Sequence, residues 1–527
     1  MLSLIAVAHA MNTPHDHNEQ MYVTAGYLAQ HKALYSDFSY VQMPYLPYLY
    51  AAIYKITGTS HYLLWAKAIT CVFWTLGAYT LFVTARRVSG SPFVAYFALL
   101  LFAWNRYVLR ALRECSNYIL PIFLFNLCFY LFLRGLGERS RRPGLMAACG
   151  LCAALGVGTK LYYLAAVPPF LLLALAYPRE ESWQVRLRSG LLPLLAGLVL
   201  GLLPVAWLMI RDLRAFAFNN LIFHFKTTQY DRPLAGRDDL PGMDLVSRGR
   251  ILFEALGYPT SLCIVIGIGF AALLLRRRPW GWRSPGVAAL LAALCLVLTS
   301  AAVAYMNPLW PQYFAMPVPF AILLLASLCG PLPAARRAQF RRLAIVLGVV
   351  TFAYGGVLSL RYVPWLFDYE RWTPTKIRRA AQAVRRHLPP GDEGGRIATL
   401  RPLYALEAGL PFYDQFAADS FLYIIGDMLT PEERVRFVTT SPQTVEQFLR
   451  DDPPRAIVVG FYKNGSEDPL IRFAEENHYR RLDRTNDAAL DVAVLYVRPS
   501  GGAAGGGDDP SQRPGESLDQ AVPSGYR

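Results

Sequence analysis

Ser189–Ile210 reads SGLLPLLAGLVLGLLPVAWLMI and Gly286–Met306 reads GVAALLAALCLVLTSAAVAYM, and neither stretch holds a charged residue. About 18 consecutive apolar residues without charge suffice for a helix that crosses a bilayer. Both stretches therefore read as membrane spans, and they set the class of the chain. Of its 527 residues 54% are hydrophobic and 17% charged, whereas a soluble protein has roughly 25% charged residues. A disordered chain needs the opposite balance, and one soluble domain of this length is not expected.

The same patterning extends outward to spans at 62–83, 92–110, 115–133, 144–160, 161–178, 251–275, 310–330 and 343–363, which with the first two make ten. The opening residues MLSLIAVAHAM are apolar, but at about 1.5 Å per residue they reach only about 16 Å of a core about 30 Å thick. They read as the end of a truncated first helix. The expected fold class is a multi-pass α-helical membrane protein of about 10–11 helices with a small C-terminal α/β domain outside the membrane.

Net charge is +15. Most of the arginines in the apolar part sit in short connections, such as Arg86 and Arg87, Arg276 to Arg278, and Arg336 to Arg342. Such connections face the cytoplasm by the positive-inside rule. The long connections 12–60 and 211–250, and everything after 364, then face outside; the expected location is a cytoplasmic (inner) membrane. Arg106, Arg110 and Arg113 break the pattern by falling on an outer connection. No nucleic-acid-binding motif accompanies the positive charge, so nucleic acid is not an expected partner. The eight cysteines lie in or beside apolar blocks, and the Cys149–Cys152 CxxC has no second pair; it reads as packing.

Residues 1–364 form the expected transmembrane domain, 365–498 the α/β domain and 499–527, rich in Gly, Pro, Ser and Asp, a disordered tail. Thr373-Pro374 and Ser441-Pro442 read as helix starts, and Arg396–Leu400, Ala456–Phe461 and Ala493–Val497 as strands.

The first outer connection carries the chemistry. It holds Asp16, Glu19 and Asp37, and five of the eight histidines lie at or before position 61. Met21, Tyr22, Ala25, Leu28 and Ala29 fall at helical spacing, which predicts a helix lying in the membrane interface. Tyr45, Tyr48, Tyr50 and Tyr54 suit headgroup depth. A carboxylate at that boundary is partly desolvated, so it is a stronger base. Glu19 or Asp16 could take a proton from a hydroxyl; either could instead simply complement a helix dipole.

Asn18-Glu19-Gln20-Met21-Tyr22, Ala25-Gly26, Leu34-Tyr35-Ser36-Asp37-Phe38 and Pro44-Tyr45-Leu46-Pro47 together resemble the first outer loop of GT-C glycosyltransferases. The groups it resembles most are those of the protein O-mannosyltransferases and the lipid A aminoarabinose transferase. Two departures stand out. The family's Asp-Glu is Asn18-Glu19 here, and the Glu-Lys that the aminoarabinose transferases carry before their prolines is Gln42-Met43.

The resemblance implies an inverting enzyme that moves a sugar from a polyprenyl-phosphate donor to a hydroxyl of a cell-envelope glycan, lipid or protein at the outer membrane face. Such a step needs a base and cations where charge develops on the leaving phosphate. Glu19 and Asp16 are the expected bases. Arg113, Lys160, Arg106 and His224 are the expected phosphate contacts, arginine for its fork of donors. Snorkelling to headgroups explains such cations equally well. Asp37, Tyr22, Asn117 and Arg401 are the remaining expected site residues. His15 and His17 flank Asp16, and a divalent metal on His224 with Glu19 or Asp16 is the cofactor the residues leave open.

A transporter or flippase is the competing reading. Transporters place ionisable groups near the bilayer midplane and carry inverted repeats. Here the middles of 189–210, 251–275 and 286–306 are uncharged and no internal repeat is found. A noncatalytic scaffold is the third, and it predicts that Glu19 tolerates change.

Overall fold

The computed structural model describes residues 1–14, 17–115, 117–137, 141–230, 244–275, 284–389 and 395–499. Asp16 and His15 lie outside the described residues, as does the expected tail from residue 500 onward. Among the described residues six helices are long and apolar enough to cross a membrane, and eight if each of two bent helix pairs is one span. The six are Tyr62–Ser89, Ile119–Leu136, Trp183–Arg211, Gly286–Tyr305, Pro311–Cys329 and Ala334–Trp365. Shorter apolar helices are Leu2–Asn12, Pro143–Thr159 and Leu161–Ala176. Each of the ten expected spans overlaps helix, but two of them are broken, and two others, 144–160 and 161–178, fall on helices too short to count among the eight.

The first break divides α5 (Pro92–Ala103) from α6 (Arg106–Arg113) by 56°. Asn105 turns extended, and its side-chain oxygen accepts the Tyr107 and Val108 amides at 2.9 and 3.4 Å. That is a helix N-cap, so 92–110 is not one continuous helix. The second break bends Leu245–Gly257 against Pro259–Leu275 by 73°. Tyr258, between them, is extended (φ −61°, ψ 132°), as the residue before a proline prefers. A third discontinuity falls at Lys160, whose extended backbone (φ −147°, ψ 110°) separates α8 (Pro143–Thr159) from the helical turns that follow.

α1 (Leu2–Asn12) packs beside α4 (Tyr62–Ser89) and α6. α2 (His17–Leu28) is the helix expected to lie in the interface, and the structure corrects that expectation. Glu19, Gln20, Val23 and Thr24 are as buried as Met21 and Tyr22. The helix is enclosed by protein, clamped between α3 (Tyr45–Thr57), α4 and the C-terminal part. Its polar side chains face protein partners, which a spacing argument built on apolar positions does not anticipate.

The C-terminal part contains a four-stranded sheet in the order β1 (Ile397–Ala398), β2 (Ala456–Val459), β4 (Val494–Val497), β3 (Arg480–Leu482). β1 and β2 are parallel and the other pairs antiparallel. Three strands coincide with the expected ones. β3 was not expected, because two of its three residues are exposed arginines. The helix Thr373–Arg386 begins at its Thr-Pro as expected, whereas Val445–Asp451 starts a turn later than Ser441-Pro442.

This part interlocks with the apolar helices through both long connections. The Leu403 amide donates to Gln20 (3.0 Å), the Ser39 hydroxyl to the Phe437 carbonyl (2.6 Å) and Arg436 to Asp212 (2.9 Å). Phe218 and Phe437 stack with ring centres 3.7 Å apart. The two long connections and the C-terminal part therefore share one end of the bundle.

Candidate functional site

The start of α2, the link from α6 to α7 (Ile119–Leu136), the break at Lys160 and the C-terminal part converge at that end. Polar side chains there form a connected network. Lys67, from α4, lies 2.7 Å from the Glu19 carboxylate, with both side chains 0% exposed. Its ammonium also donates to the Arg113 carbonyl at 2.7 Å. Asn18 donates to Glu114 (3.3 Å), which also faces the guanidinium nitrogens of Arg110 (3.3 Å) and Arg113 (3.9 Å). One helical turn along α2, the Tyr22 hydroxyl donates to Asn117 (3.3 Å) and Asn117 donates to Gln42 (3.3 Å). Lys160 donates to the same Gln42 oxygen at 3.0 Å.

This network borders a cavity of about 210 Å³. Asn18, Tyr22, Gln42 and Lys160 line it from the helix bundle and the first connection, His224 from the second, and Ser420, Phe421, Tyr462 and Asn464 from the C-terminal part. Lys160 is flanked by the rings of Tyr118 (4.6 Å) and Tyr162 (5.0 Å). No carboxylate lines the cavity among the described residues. A lone ammonium between aromatic faces, in a chamber without acids, suits an anion. His224 packs edge-on to Tyr162. The surrounding protein and then the nearby Lys160 charge push its pKa down to about 3, so at neutral pH it is an uncharged hydrogen-bonding group.

The expected site residues divide clearly. Tyr22, Asn117, Lys160 and His224 gather at or next to the cavity. Glu19 and Arg113 belong to the adjoining network without lining it. Arg401 lies one ring away, with its guanidinium 4.8 Å from the centre of Tyr462. Arg106 and Asp37 stand apart. Arg106 is exposed over the Tyr258 ring (4.6 Å), and Asp37 is exposed and accepts the Ala33 amide of its own turn (2.7 Å). Asp16 falls outside the described residues. Among those residues no three His, Cys, Asp or Glu side chains cluster closely enough to hold a metal ion. Glu19 is paired with Lys67 and does not line the cavity that His224 lines; Asp16, the other acid expected beside His224, lies outside the described residues.

Two residues of the network escaped the sequence reading. Lys67 is a solitary cation inside the expected span 62–83, and an ionisable residue within an apolar helix is itself a signal. Gln42 registered only as a departure from a pattern, yet it is the acceptor that joins Asn117 to Lys160.

No protein-family model matches this chain, and no curated protein matches it in sequence. Solved structures match it in shape. ArnT from Cupriavidus metallidurans bound to undecaprenyl phosphate is similar with a TM-score of 0.61 at 14% identity, over 94% of this chain and 96% of that one. Its apo state gives a TM-score of 0.60 at 15% identity, over 94% and 95%. The Archaeoglobus fulgidus oligosaccharyltransferase gives a TM-score of 0.47 at 12% identity, over 91% of this chain and 71% of that one. The likeness to ArnT shows that the chain has the GT-C fold.

Proposed function

We propose that this chain of GT-C fold is a membrane glycosyltransferase that takes a sugar from a polyprenyl-phosphate donor and passes it, with inversion, to an acceptor hydroxyl at the outer face of the membrane. The observation that carries the reading is Lys160, held by Gln42 and two tyrosine rings in a chamber without carboxylates. It is supported by the shape shared with an enzyme solved with undecaprenyl phosphate.

In the proposed step the acceptor oxygen attacks the anomeric carbon, the bond from that carbon to the phosphate oxygen breaks, and polyprenyl phosphate leaves with the electron pair. Lys160 stabilises the charge that grows on the phosphate. Tyr22, Asn117 and His224 supply hydrogen bonds that orient sugar or phosphate. The acceptor's proton passes to an acid of the first connection. Lys67 keeps Glu19 ionised, the form a base must start from, but an ion-paired carboxylate is a weak base. Glu19 must therefore exchange Lys67 for the acceptor hydroxyl; Asp16 is the second acid proposed. Arg113 acts from beside the chamber, and Arg106, which stands apart from it, meets lipid headgroups. The second connection and the C-terminal part are proposed to lie outside the cytoplasm with the chamber.

The test is transfer by the purified chain from undecaprenyl-phosphate sugars, with Glu19→Gln and Asp16→Asn in parallel. Loss of transfer in one variant that remains folded identifies the base, and for Glu19→Gln the loss must persist in the Glu19→Gln/Lys67→Met double variant. Full transfer in both rejects this assignment.

A further inference from the structure

The C-terminal part gives the chamber a wall of its own, and one stretch of that wall follows the strand β2. Tyr462, which lines the chamber, stands three residues beyond the end of β2. Arg401, whose guanidinium packs on the Tyr462 ring, stands three residues beyond the end of β1. β1 and β2 are parallel, and the carboxyl ends of parallel strands are a common place for α/β sheets to hold ligands. Tyr462 and its neighbour Asn464, which also lines the chamber, have no part in the transfer step described above.

This loop is held from behind by one buried carboxylate. Glu467, 2% exposed, accepts the consecutive amides of Gly460, Phe461 and Tyr462 on a single oxygen, at 2.9, 2.9 and 3.1 Å. The chain turns into that cradle at Gly460, whose φ of 101° a side chain would strain. The Tyr462 hydroxyl donates to Asp419, a buried residue at φ 59° and ψ −153°. That backbone region is almost reserved for glycine, and other residues stay in it only where their surroundings impose it, most often at functional sites. Two residues past Tyr462, the Asn464 oxygen accepts the amide and hydroxyl of Ser466 at 3.2 and 2.7 Å. Its amide N–H groups are left for a ligand.

A fixed tyrosine ring beside a donating amide suits a saccharide, whose C–H face meets the ring while its hydroxyls meet the amide. Lys160 enters the chamber from the helix bundle, the side from which a lipid-borne phosphate arrives. We propose that Tyr462 and Asn464 bind the acceptor, that this acceptor is a saccharide, and that Glu467 is the positioning residue that fixes their loop. The assignment rests on the glycosyltransferase reading. The full-length protein, purified in nanodiscs, is supplied with a panel of undecaprenyl-phosphate sugars and with three envelope fractions: glycan-bearing material, protein and glycan-free lipid.

Sugar should pass to the glycan-bearing fraction. Asn464→Ala, at an exposed position, should raise the half-saturating amount of that fraction about five-fold, the effect of one lost hydrogen bond, and leave the donor KM unchanged. Glu467→Ala should raise it about ten-fold or more. Glu467→Gln, which keeps an oxygen for the three amides, should recover most of that loss. Should Glu467→Ala fail to fold, Asn464→Ala and Glu467→Gln still decide the matter. Transfer to protein or glycan-free lipid instead, wild-type half-saturation in Asn464→Ala, equal shifts for donor and acceptor, or no recovery in Glu467→Gln would overturn the proposal and leave the transfer reading standing. A wild-type protein that moves no sugar to any fraction would sink that reading and this assignment together.

Discussion

Lys67 Nζ lies 2.7 Å from the Glu19 carboxylate, and neither side chain is exposed. The pair ties the first helix of the long N-terminal connection to a membrane-spanning helix. Two charges that have left water are tolerable together and costly apart; removing one partner of a buried pair typically destabilises by about 3–5 kcal/mol. Glu19→Gln and Lys67→Met should each lower the unfolding temperature in detergent, and the double variant should recover part of the loss. A double variant as unstable as the sum of the singles would mean that the two residues act independently.

Glu407 gives a pH dependence of known sign. Its carboxylate accepts the Leu63 amide at the start of α4 (2.8 Å) and faces Arg378. Burial, outweighing those contacts, pushes its pKa from 4.5 up to about 7. The unfolded chain ionises this acid first. Between these two values it binds fewer protons than the native state, and stability falls as pH rises, by at most ~3 kcal/mol. The wild-type unfolding temperature should drop more steeply than that of Glu407→Gln from about pH 5 to pH 7; identical slopes would place the carboxyl in water.

Gln42 separates two electrostatic states of the chamber. As an amide it accepts from Lys160 (3.0 Å) without cancelling its charge. Gln42→Glu introduces an anion at that contact and neutralises the cation. The apparent KM for a polyprenyl-phosphate sugar should rise roughly ten-fold or more, the effect of a charged hydrogen bond worth about 1.5–3 kcal/mol. Unfolding temperature should change little. An unchanged KM would mean that the donor phosphate does not meet Lys160.

The close crossing of α8 on the helix Leu192–Arg211 depends on two glycines. A side chain on Gly150 would overlap the Leu194 carbonyl, and one on Gly197 the Ala147 carbonyl. The helices touch backbone to backbone, the small-residue packing of membrane interiors. Gly150→Leu or Gly197→Leu should displace α8, whose last residue precedes Lys160, and abolish both folding yield and donor use. Gly144→Ala, where a side chain meets only open space, should do neither.

Much of this was legible in composition and charge. Runs such as 189–210 have a single physical solution in lipid, so helix positions followed directly. The breaks at Asn105 and Tyr258 were harder, because apolar content continues across them while a side-chain cap or a proline turns the backbone. At the site, Tyr22, Asn117 and Lys160 were reachable through local motif and position. Their connection was not, since Gln42 and Lys67 act across 118 and 48 residues of chain and carry no local pattern. Arg106 and Asp37 show the opposite failure: each sits beside informative residues in sequence, and the fold turns each toward the surface.

The most direct test of the account follows the donor. The purified chain is reconstituted with a panel of undecaprenyl-phosphate sugars and a total extract of envelope acceptors, and free undecaprenyl phosphate is measured over time, beside Lys160→Met. The account predicts sugar-dependent release for at least one donor, reduced about 100-fold in Lys160→Met, a loss equivalent to ~3 kcal/mol. Release from no donor, or equal release by both proteins, would contradict it.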